Sequence, residues 1–453
     1  MRYLICLVLA AFLTTSPAHA AASEAGGFQG LTPHEYALDN GLRLLVVEDH
    51  KAPLAIFQIW YRVGAMDDPT GLGGISHVLE HMMFKGTPKF ASKVLSQAVQ
   101  KQGGSDNAFT SNDYTAYYQI LPSDRIGMSV EFESDRMRNL ILDPAETMSE
   151  RDVVKEERRM RTEDDPESAL YELVTGAAFN VHPYGRPVIG WMSDLDNITP
   201  DDLAAHYRAY YAPNNAVIVV AGDVDPDAIY AMVREAFGAI EPSAAPRRMR
   251  YEEPAQRGER RVRLKKEAEL PQVLAAFHAP NFPDPDAYAL EVLAAVLSEG
   301  RSSRLFRTLV YGEKIALSAE AYYYGSSRDP FLFFLGATAA PGQEIGDVEA
   351  ALYREAGRIA AEPPTEFEMQ KALNMLEADF LMSLDSIDSQ ARLVGSFEMS
   401  GNWRMINQYI EGIRAVTAAD VSRVAGAYLT GDNRTVGTLV PLPPGGADEG
   451  GAE

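Results

Sequence analysis

The sequence contains one cysteine in 453 residues, and it lacks a long hydrophobic run beyond its N-terminal segment. Cys6 lies inside that segment, so removal of the segment would leave a chain without thiols. This excludes disulfides and thiolate metal ligands. No later stretch offers the ~20 consecutive apolar residues of a transmembrane helix. We therefore expect no membrane span once the segment is removed.

Positive charge is also scarce. Lys and Arg total 41 against 64 Asp and Glu, which gives a net charge of −23. Such a surface repels a phosphate backbone, so nucleic-acid binding is excluded. The acidic balance favours a soluble protein and cationic substrates. With 46% hydrophobic residues, the composition is that of a globular chain.

The first 20 residues have the pattern of a secretory signal peptide. Arg2 gives a short positive start, Tyr3–Leu13 is apolar, and Ala18-His19-Ala20 matches an A-x-A cleavage site. The apolar run is too short to span a bilayer, although a retained membrane anchor is the alternative. We therefore expect a periplasmic or secreted protein.

The second half of the chain repeats features of the first. Thr199 and Thr417 lie 218 residues apart, and each precedes a helical pattern, an Asn and an apolar strand. Ser149 and Thr365 lie 216 residues apart and both resemble helix N-caps. A near-constant offset indicates a duplicated domain, the alternative being chance recurrence. We predict an α+β fold of two homologous domains, each a mainly antiparallel sheet with helices packed on one face.

Composition divides the chain further. The stretch between the two halves is rich in Pro, Ala, Arg and Glu, which favours a linker. The last residues, rich in Gly and Pro, cannot form a core and are expected to be a disordered tail. The predicted segments are a signal peptide at 1–20, a first domain at 30–243, a linker at 244–260, a second domain at 261–440 and a tail at 441–453.

The segment Gly73-Gly-Ile-Ser-His77-Val-Leu-Glu80-His81 carries the clearest chemistry. On a helix, His77 and His81 share one face, where two imidazoles can close on one tetrahedral cation. Glu80 stands beside them and can take a proton from a water molecule that the metal activates. Apolar neighbours indicate a largely buried helix, and a buried His pair beside a Glu is costly unless something binds it. The pattern therefore predicts a zinc site rather than two solvated or capped histidines.

Catalytic zinc needs a third protein ligand. A charged helical stretch downstream offers Glu150, Glu156 and Glu157. Glu150 and Glu157 share a face, whereas Glu156 points about 100° away from Glu157. Helical geometry alone leaves the choice open. The plain alternative is a solvated face on which Glu156 pairs with Arg159 and Glu157 with Arg161.

The order H-x-x-E-H marks inverzincins, and the wider sequence resembles the pitrilysin family, which includes insulysin and the mitochondrial processing peptidase. The resemblance covers nearly all of the chain after residue 20 and is stronger in the first half. The matching segments are Gly73–Thr87, Asn107–Thr110, Thr115–Tyr118, Glu150–Glu157, His182–Gly190 and Tyr211–Asp223.

The resemblance implies a role for each matching residue. His77, His81 and Glu157 would bind Zn²⁺, one ion per chain, and Glu80 would be the base. Glu150 would act beside the ligands. A further segment would bind the substrate by adding it as an extra strand, with an ordinary edge strand as the alternative. That segment consists of Asn107, Ala108, Phe109 and Thr110.

The second domain is predicted to be metal-free. Aligning the two halves places Glu291, Ala294 and Ala295 at the three positions of the first-half motif. Aligning Ser149 with Thr365 puts Leu373 where the third ligand would stand. The second domain is therefore expected to complete a cleft rather than to repeat the chemistry.

One departure from the family concerns the second domain. Active members carry an Arg and, seven residues later, a Tyr after a segment like Ser303–Phe306. Here Val310 and Leu317 stand at those positions, and neither side chain can donate a hydrogen bond. Some bacterial members divide the roles between two chains. The resemblance thus implies a homologous partner subunit that supplies the Arg/Tyr pair, with a homodimer as the alternative.

Together these features predict an exported zinc metallo-endopeptidase subunit that hydrolyses extended or unfolded peptides. The alternatives are a structural member of the same fold that has lost catalysis, and a peptide-binding module that holds its ligand without cutting it.

Overall fold

The computed structural model describes residues 30–244 and 248–443. The predicted signal peptide lies outside the described residues, as do three linker residues and most of the predicted tail. Within the described ranges, no helix has the length and apolar character that crossing a membrane requires.

The first half of the chain builds a six-stranded sheet. Its strands are β1 His34–Ala37, β2 Arg43–Glu48, β3 Leu54–Tyr61, β4 Ser105–Thr110, β5 Thr115–Pro122 and β6 Ala216–Gly222. They lie in the order β1-β2-β6-β3-β5-β4. Only the β2–β6 pair is parallel among these neighbours. β4 therefore forms one edge of the sheet.

The second half builds a five-stranded sheet of the same topology. Its strands are β7 Arg260–Glu267, β8 Gln272–Ala279, β9 Ala316–Tyr323, β10 Phe331–Ala339 and β11 Arg434–Leu442. Their order, β7-β11-β8-β10-β9, repeats β2-β6-β3-β5-β4. The parallel β7–β11 pair corresponds to the β2–β6 pair. The predicted α+β fold of two similar, mainly antiparallel sheets is confirmed, whereas the predicted domain boundaries stay a prediction.

Fourteen α-helices lie within the described residues. In the first half they are α1 Ile75–Met82, α2 Val94–Lys101, α3 Gly127–Asn139, α4 Pro144–Arg158, α5 Pro166–Ala178, α6 Met192–Asn197, α7 Pro200–Tyr210 and α8 Pro226–Phe237. In the second half they are α9 Pro285–Ser298, α10 Ile345–Ala361, α11 Glu366–Ser383, α12 Ile387–Ser400, α13 Met405–Ala415 and α14 Ala418–Tyr428.

Helix caps test the predicted repeat. Thr199 and Thr417 each cap a helix through a capping box, and Thr365 does the same for α11. The prediction for Ser149 is wrong, because α4 already begins at Pro144 and its N-cap is Asp143. Asp143 accepts the first free N–H groups of α4, and the proline is favourable at the first helical position. The alignment that placed Leu373 opposite the third ligand loses its basis.

Side-chain contacts also repeat with the 218-residue offset. The amide of Asn215 donates to the backbone carbonyl of Tyr210 at 2.9 Å. The amide of Asn433 donates to the carbonyl of Tyr428 at the same distance, 2.9 Å. Each Asn joins the end of a helix to the start of the following strand, so the two halves share local detail as well as topology.

The two halves exchange a helix. α5 belongs to the first half but packs on the second sheet, where a Cβ at Gly437 would lie 2.4 Å from Val174. α12 belongs to the second half but packs on the first sheet, where a Cβ at Gly395 would lie 2.1 Å from the Trp60 ring. Glycine is required at both contacts because any side chain would overlap its neighbour. The first sheet is therefore covered on both faces, one of them by a helix from the other half.

Candidate metal centre

Helix α1 carries both motif histidines and buries its opposite face. Ile75, Val78, Leu79 and Met82 are at most 1% exposed and belong to the core of the first half. Burial of such side chains contributes roughly 1.5–3 kcal/mol each. Because this apolar face is held against the core, the helical period turns the motif side chains toward a cleft.

The start of α1 is fixed by a buried carboxylate. Asp68 accepts hydrogen bonds from the backbone N–H of Gly74 at 2.7 Å and of Ser76 at 3.3 Å. Burial raises the pKa of Asp68 to about 7, against the lowering effect of these hydrogen bonds. Gly74 has φ of 90°, and a Cβ there would lie 2.5 Å from the Ile189 carbonyl oxygen. The helix therefore begins at one defined position.

The structure brings His77, His81 and Glu157 together. One ligand atom from each lies within 4.8 Å of the other two. Oε2 of Glu157 lies 3.3 Å from Nε2 of His81 and 3.9 Å from Nε2 of His77. Zinc with ligands at ~2.0–2.1 Å in tetrahedral geometry separates them by ~3.3 Å. Two imidazole nitrogens and one carboxylate oxygen at this spacing fit a zinc ion with an open fourth position.

Glu150 lies behind His81, on the side away from Glu157. Its Oε1 is 3.0 Å from Nδ1 of His81, and its other oxygen pairs with Lys85. This carboxylate keeps the His81 ring oriented so that Nε2 faces the cluster. The hydrogen bond to His81 also lowers the pKa of Glu150. Such contacts fix the tautomer of a metal-binding histidine and raise its basicity.

The two histidines differ in basicity. Burial lowers the pKa of His77 to about 4, and the neighbouring His81 contributes in the same direction. Burial also opposes protonation of His81, but its hydrogen bonds to Glu150 and Glu157 outweigh this and raise the pKa to about 9. Near pH 7 and without a metal, His77 is therefore neutral, whereas His81 holds a proton that zinc would displace on binding.

Tertiary geometry separates the three glutamates that the helical pattern left open. Glu156 is exposed and pairs with Arg159 at 2.6 Å. Glu157 is only 14% exposed; one of its oxygens pairs with Arg161 at 2.8 Å while the other faces the histidines. Glu150 contacts Nδ1 of His81, on the side of the ring away from Glu157. The ion pairs expected for a solvated helix face, Glu156 with Arg159 and Glu157 with Arg161, are therefore both present, and the cluster forms beside them.

Glu80 lies beside the cluster and is nearly inaccessible to solvent, with 7% of its surface exposed. Burial raises the pKa of this carboxyl, while a hydrogen bond from Thr110 lowers it. Oγ1 of Thr110 donates to Oε2 of Glu80 at 2.5 Å. A raised pKa brings a carboxylate closer to the range in which it can both accept and release a proton.

The segment predicted to bind substrate forms most of β4, at the edge of the first sheet. It pairs with β5 on one side, and its four residues line the same cleft as the cluster. Those residues are Asn107, Ala108, Phe109 and Thr110. The placement is what strand addition requires: an open edge directly beside the reacting groups.

The cleft has a volume of about 1310 Å³ and is built by both halves. The first half contributes residues of α1, β4, α4 and α5 to its lining, and the second half contributes residues of strands β8, β9 and β10. Among the charged side chains that line it, carboxylates outnumber the two arginines, Arg161 and Arg186. The cluster formed by His77, His81 and Glu157 therefore lines a wide, largely acidic groove.

Val310 and Leu317 lie outside this groove. Val310 belongs to a π-helical turn at Phe306–Gly312, and Leu317 is 55% exposed near the start of β9. Neither is among the residues that line the cleft.

Sequence reasoning missed Arg158, which follows the third cluster residue. Its side chain is 5% exposed, and its guanidinium donates to both carboxylate oxygens of Glu172, at 2.8 and 2.9 Å. It also donates to the carbonyl of Gly190 at 2.9 Å. Arg158 thereby joins the end of α4 to α5 and to the segment that lies against the start of α1. No local pattern distinguishes it from the neighbouring arginines.

Two profiles of one peptidase family match this chain. The profile of the insulinase family, peptidase family M16, matches residues 43–191, and that of the peptidase M16 inactive domain matches residues 197–376. An uncharacterized zinc protease of Mycobacterium leprae is 32% identical over 418 residues, which cover 90% of this chain and 91% of the relative. The chain belongs to the insulinase family, peptidase family M16.

Other relatives agree with this assignment. Zinc protease PqqE of Helicobacter pylori is 29% identical over 91% of this chain and 94% of the relative. The crystal structure of a protease from Helicobacter pylori superposes with a TM-score of 0.87 at 28% identity, over 91% of this chain and all of that chain. The predicted resemblance is confirmed, and the chain is a member of a zinc metallopeptidase family.

Proposed function

We propose that this protein is the zinc-binding subunit of an exported endopeptidase that hydrolyses extended or unfolded peptides. The proposal rests on the placement of three features in one cleft. A zinc-compatible cluster, a buried carboxylate and an open strand edge face the same cleft. Each is common alone, but together they supply what peptide hydrolysis needs.

The residues divide the chemistry between them. Zinc held by His77, His81 and Glu157 would polarise the scissile carbonyl and acidify the attacking water. Glu80 would take the proton of that water on a carboxylate oxygen and pass it to the departing amine. Glu150 would keep His81 in place throughout.

The substrate class follows from β4. A peptide added to this edge is held by main-chain hydrogen bonds, which recognise extended backbone rather than a particular sequence. The width of the cleft suits a chain that extends past the cluster on both sides rather than a terminus held in a closed pocket. The acidic lining favours peptides that carry positive charge.

The test is cleavage of an unstructured fluorogenic peptide by zinc-loaded protein comprising residues 21–453. The blank is Glu80→Gln, and the control is Glu156→Gln, which alters an exposed carboxylate on the helix of the third ligand. Turnover that disappears in Glu80→Gln but persists in Glu156→Gln supports the proposal. A chain that binds no zinc contradicts it and favours the structural alternative.

We further propose that a homologous partner subunit supplies an Arg/Tyr pair. Val310 and Leu317 occupy the positions where the family resemblance places the pair, and both lie outside this chain's cleft. Residues at such positions would act on the site of a second chain, so a homodimer would offer only Val and Leu. Bound zinc without turnover by the isolated chain would support the partner, whereas full activity alone would refute it.

Export is part of the same proposal and rests on the first 20 residues. The protein is expected in the periplasm or outside the cell, with its mature N-terminus after Ala20. N-terminal sequencing of protein from the periplasmic fraction tests this. Full-length protein in the membrane fraction would instead indicate a retained anchor.

A further inference from the structure

Thr110 occupies an unusual position between the substrate-binding edge and the proposed base. Its hydroxyl oxygen is 2.5 Å from Oε2 of Glu80, the length of a strong, charge-assisted O–H···O⁻ hydrogen bond. An ionised carboxylate can only accept, so the threonine must donate. The single hydroxyl proton of Thr110 is therefore committed to Glu80.

The neighbouring hydroxyl does not compete for this role. Oγ1 of Thr115 lies 3.4 Å from Oγ1 of Thr110, but Thr115 donates to the carbonyl oxygen of Val63 at 3.0 Å. With its own proton used there, Thr115 can only accept. The two threonines are opposite each other on β4 and β5, so the hairpin itself holds the Thr110 side chain in register.

The direction of the Thr110 side chain follows from the pleat of β4. Side chains alternate between the two faces of a strand. Phe109 points to the face covered by α12, where its ring packs against Trp60 with centroids 5.3 Å apart. Thr110 therefore points to the opposite face, on which α1 carries Glu80.

The backbone of Thr110 faces the open edge. Ser111 and Tyr114 form a hydrogen-bonded pair across the hairpin, with Ser111 N–H donating to the Tyr114 carbonyl at 2.8 Å. In an antiparallel ladder, hydrogen-bonded and non-hydrogen-bonded pairs alternate. The next pair, Thr110 with Thr115, is therefore a non-hydrogen-bonded pair. The N–H and C=O of Thr110 point away from β5, toward the edge where a substrate strand would add.

We propose that Thr110 is a positioning residue that couples strand addition to the base. Its backbone contacts the bound peptide, and its hydroxyl holds the Glu80 carboxylate in the orientation needed for proton transfer. This inference rests on the proposed endopeptidase function and adds a residue to it. A peptide in the correct register on β4 would fix Thr110, and through it Glu80, at the moment when the scissile bond is in place.

The experiment compares Thr110→Val with Thr110→Ser in the zinc-loaded protein. Valine keeps the shape and the backbone but removes the hydroxyl, whereas serine restores it. For a group that orients a catalytic side chain we expect kcat to fall ~10–100-fold in Thr110→Val. KM stays within about twofold, because the main-chain contacts remain. Thr110→Ser recovers most of kcat.

A matched control separates this effect from loss of stability. Thr87 is 6% exposed and its hydroxyl also donates to a carboxylate, that of Asp135, outside the cleft. Thr87→Val therefore removes the same type of hydrogen bond at a distance from the reacting groups. It is expected to lower the melting temperature while kcat stays at the wild-type value.

A second readout does not depend on turnover. In protein labelled with ¹³C at glutamate carboxyl carbons, the Glu80 resonance is identified by its absence in Glu80→Gln. It is expected to shift in Thr110→Val and to return in Thr110→Ser. The inference would be overturned by an unchanged Glu80 resonance or by equal kcat in Thr110→Val and wild type. It would also be overturned if kcat fell equally in Thr110→Val and Thr110→Ser. Absence of zinc binding by the wild type would contradict the proposed function instead. Bound zinc without turnover would indicate that the partner subunit is needed, and the resonance would then decide on Thr110.

Discussion

Replacement of Glu150 by Gln is expected to weaken zinc binding without unfolding the protein. Glu150 is 3.0 Å from Nδ1 of His81 and also pairs with Lys85. Glutamine keeps the size of the side chain but removes the charge that holds the His81 ring with Nε2 toward the metal. Loss of such a contact raises the dissociation constant of a metal ~10–100-fold.

This magnitude agrees with the energy of the contact. A 10–100-fold change corresponds to about 1.4–2.7 kcal/mol, and a hydrogen bond to a charged group contributes ~1.5–3 kcal/mol. Glu150 is 13% exposed, so solvent compensates for the lost charge only in part. The effect on zinc should therefore lie within that range rather than near zero.

The assay is competition for zinc between the protein and a chelator of known affinity at pH 7.5. Glu156→Gln is the matched control, because Glu156 lies on the same helix, is exposed and pairs with Arg159. Its zinc affinity is expected to equal that of the wild type. A Glu150→Gln protein with wild-type affinity, or an equal loss in both variants, would refute the reasoning.

Three further substitutions test the fold outside the cluster. Gly395→Ala is expected to lower the melting temperature, because its Cβ would lie 2.1 Å from the Trp60 ring and overpacking costs about 1–3 kcal/mol. Gly357→Ala lies in α10, where an added Cβ would have no neighbour within 4 Å, and it is expected to raise the melting temperature. Equal melting temperatures of the Gly395→Ala and Gly357→Ala proteins would contradict this. Burial raises the pKa of Glu291 from 4.5 to about 7, so the free energy of unfolding should fall as pH rises through that range. Glu291→Gln should therefore raise the melting temperature at pH 8 but not at pH 4.5; a pH-independent difference would contradict this.

Much of the site could be predicted because its determinants are local. The i,i+4 spacing of His77 and His81 places two ligands on one helical face without reference to the rest of the fold. The duplication was visible because the caps at Thr199 and Thr417 are short-range features. Both kinds of pattern are encoded within a few residues of each other, where sequence periodicity is informative.

Features that depend on distant segments could not be predicted in this way. The third cluster residue, Glu157, differs from Glu156 only in which way α4 rotates against α1, and that is decided by packing. Ser149 matched a capping pattern, but Asp143 and the following proline begin the helix earlier. The hydrogen bond from Thr110 to Glu80 joins residues 30 positions apart, and no local sequence pattern indicates it.

The exchange of helices explains how the second half contributes to the position of the cluster. α4 ends at Arg158 and continues through a π-helical turn at Arg159–Glu163 into α5. α5 packs on the second sheet, and Arg260 of that sheet donates to the carbonyl of Ala178 at 2.6 Å. The helix that follows the one bearing Glu157 is thus held by the second half. Because α5 follows the third cluster residue along the chain and packs on the second sheet, the second half helps to set the position of that residue relative to α1.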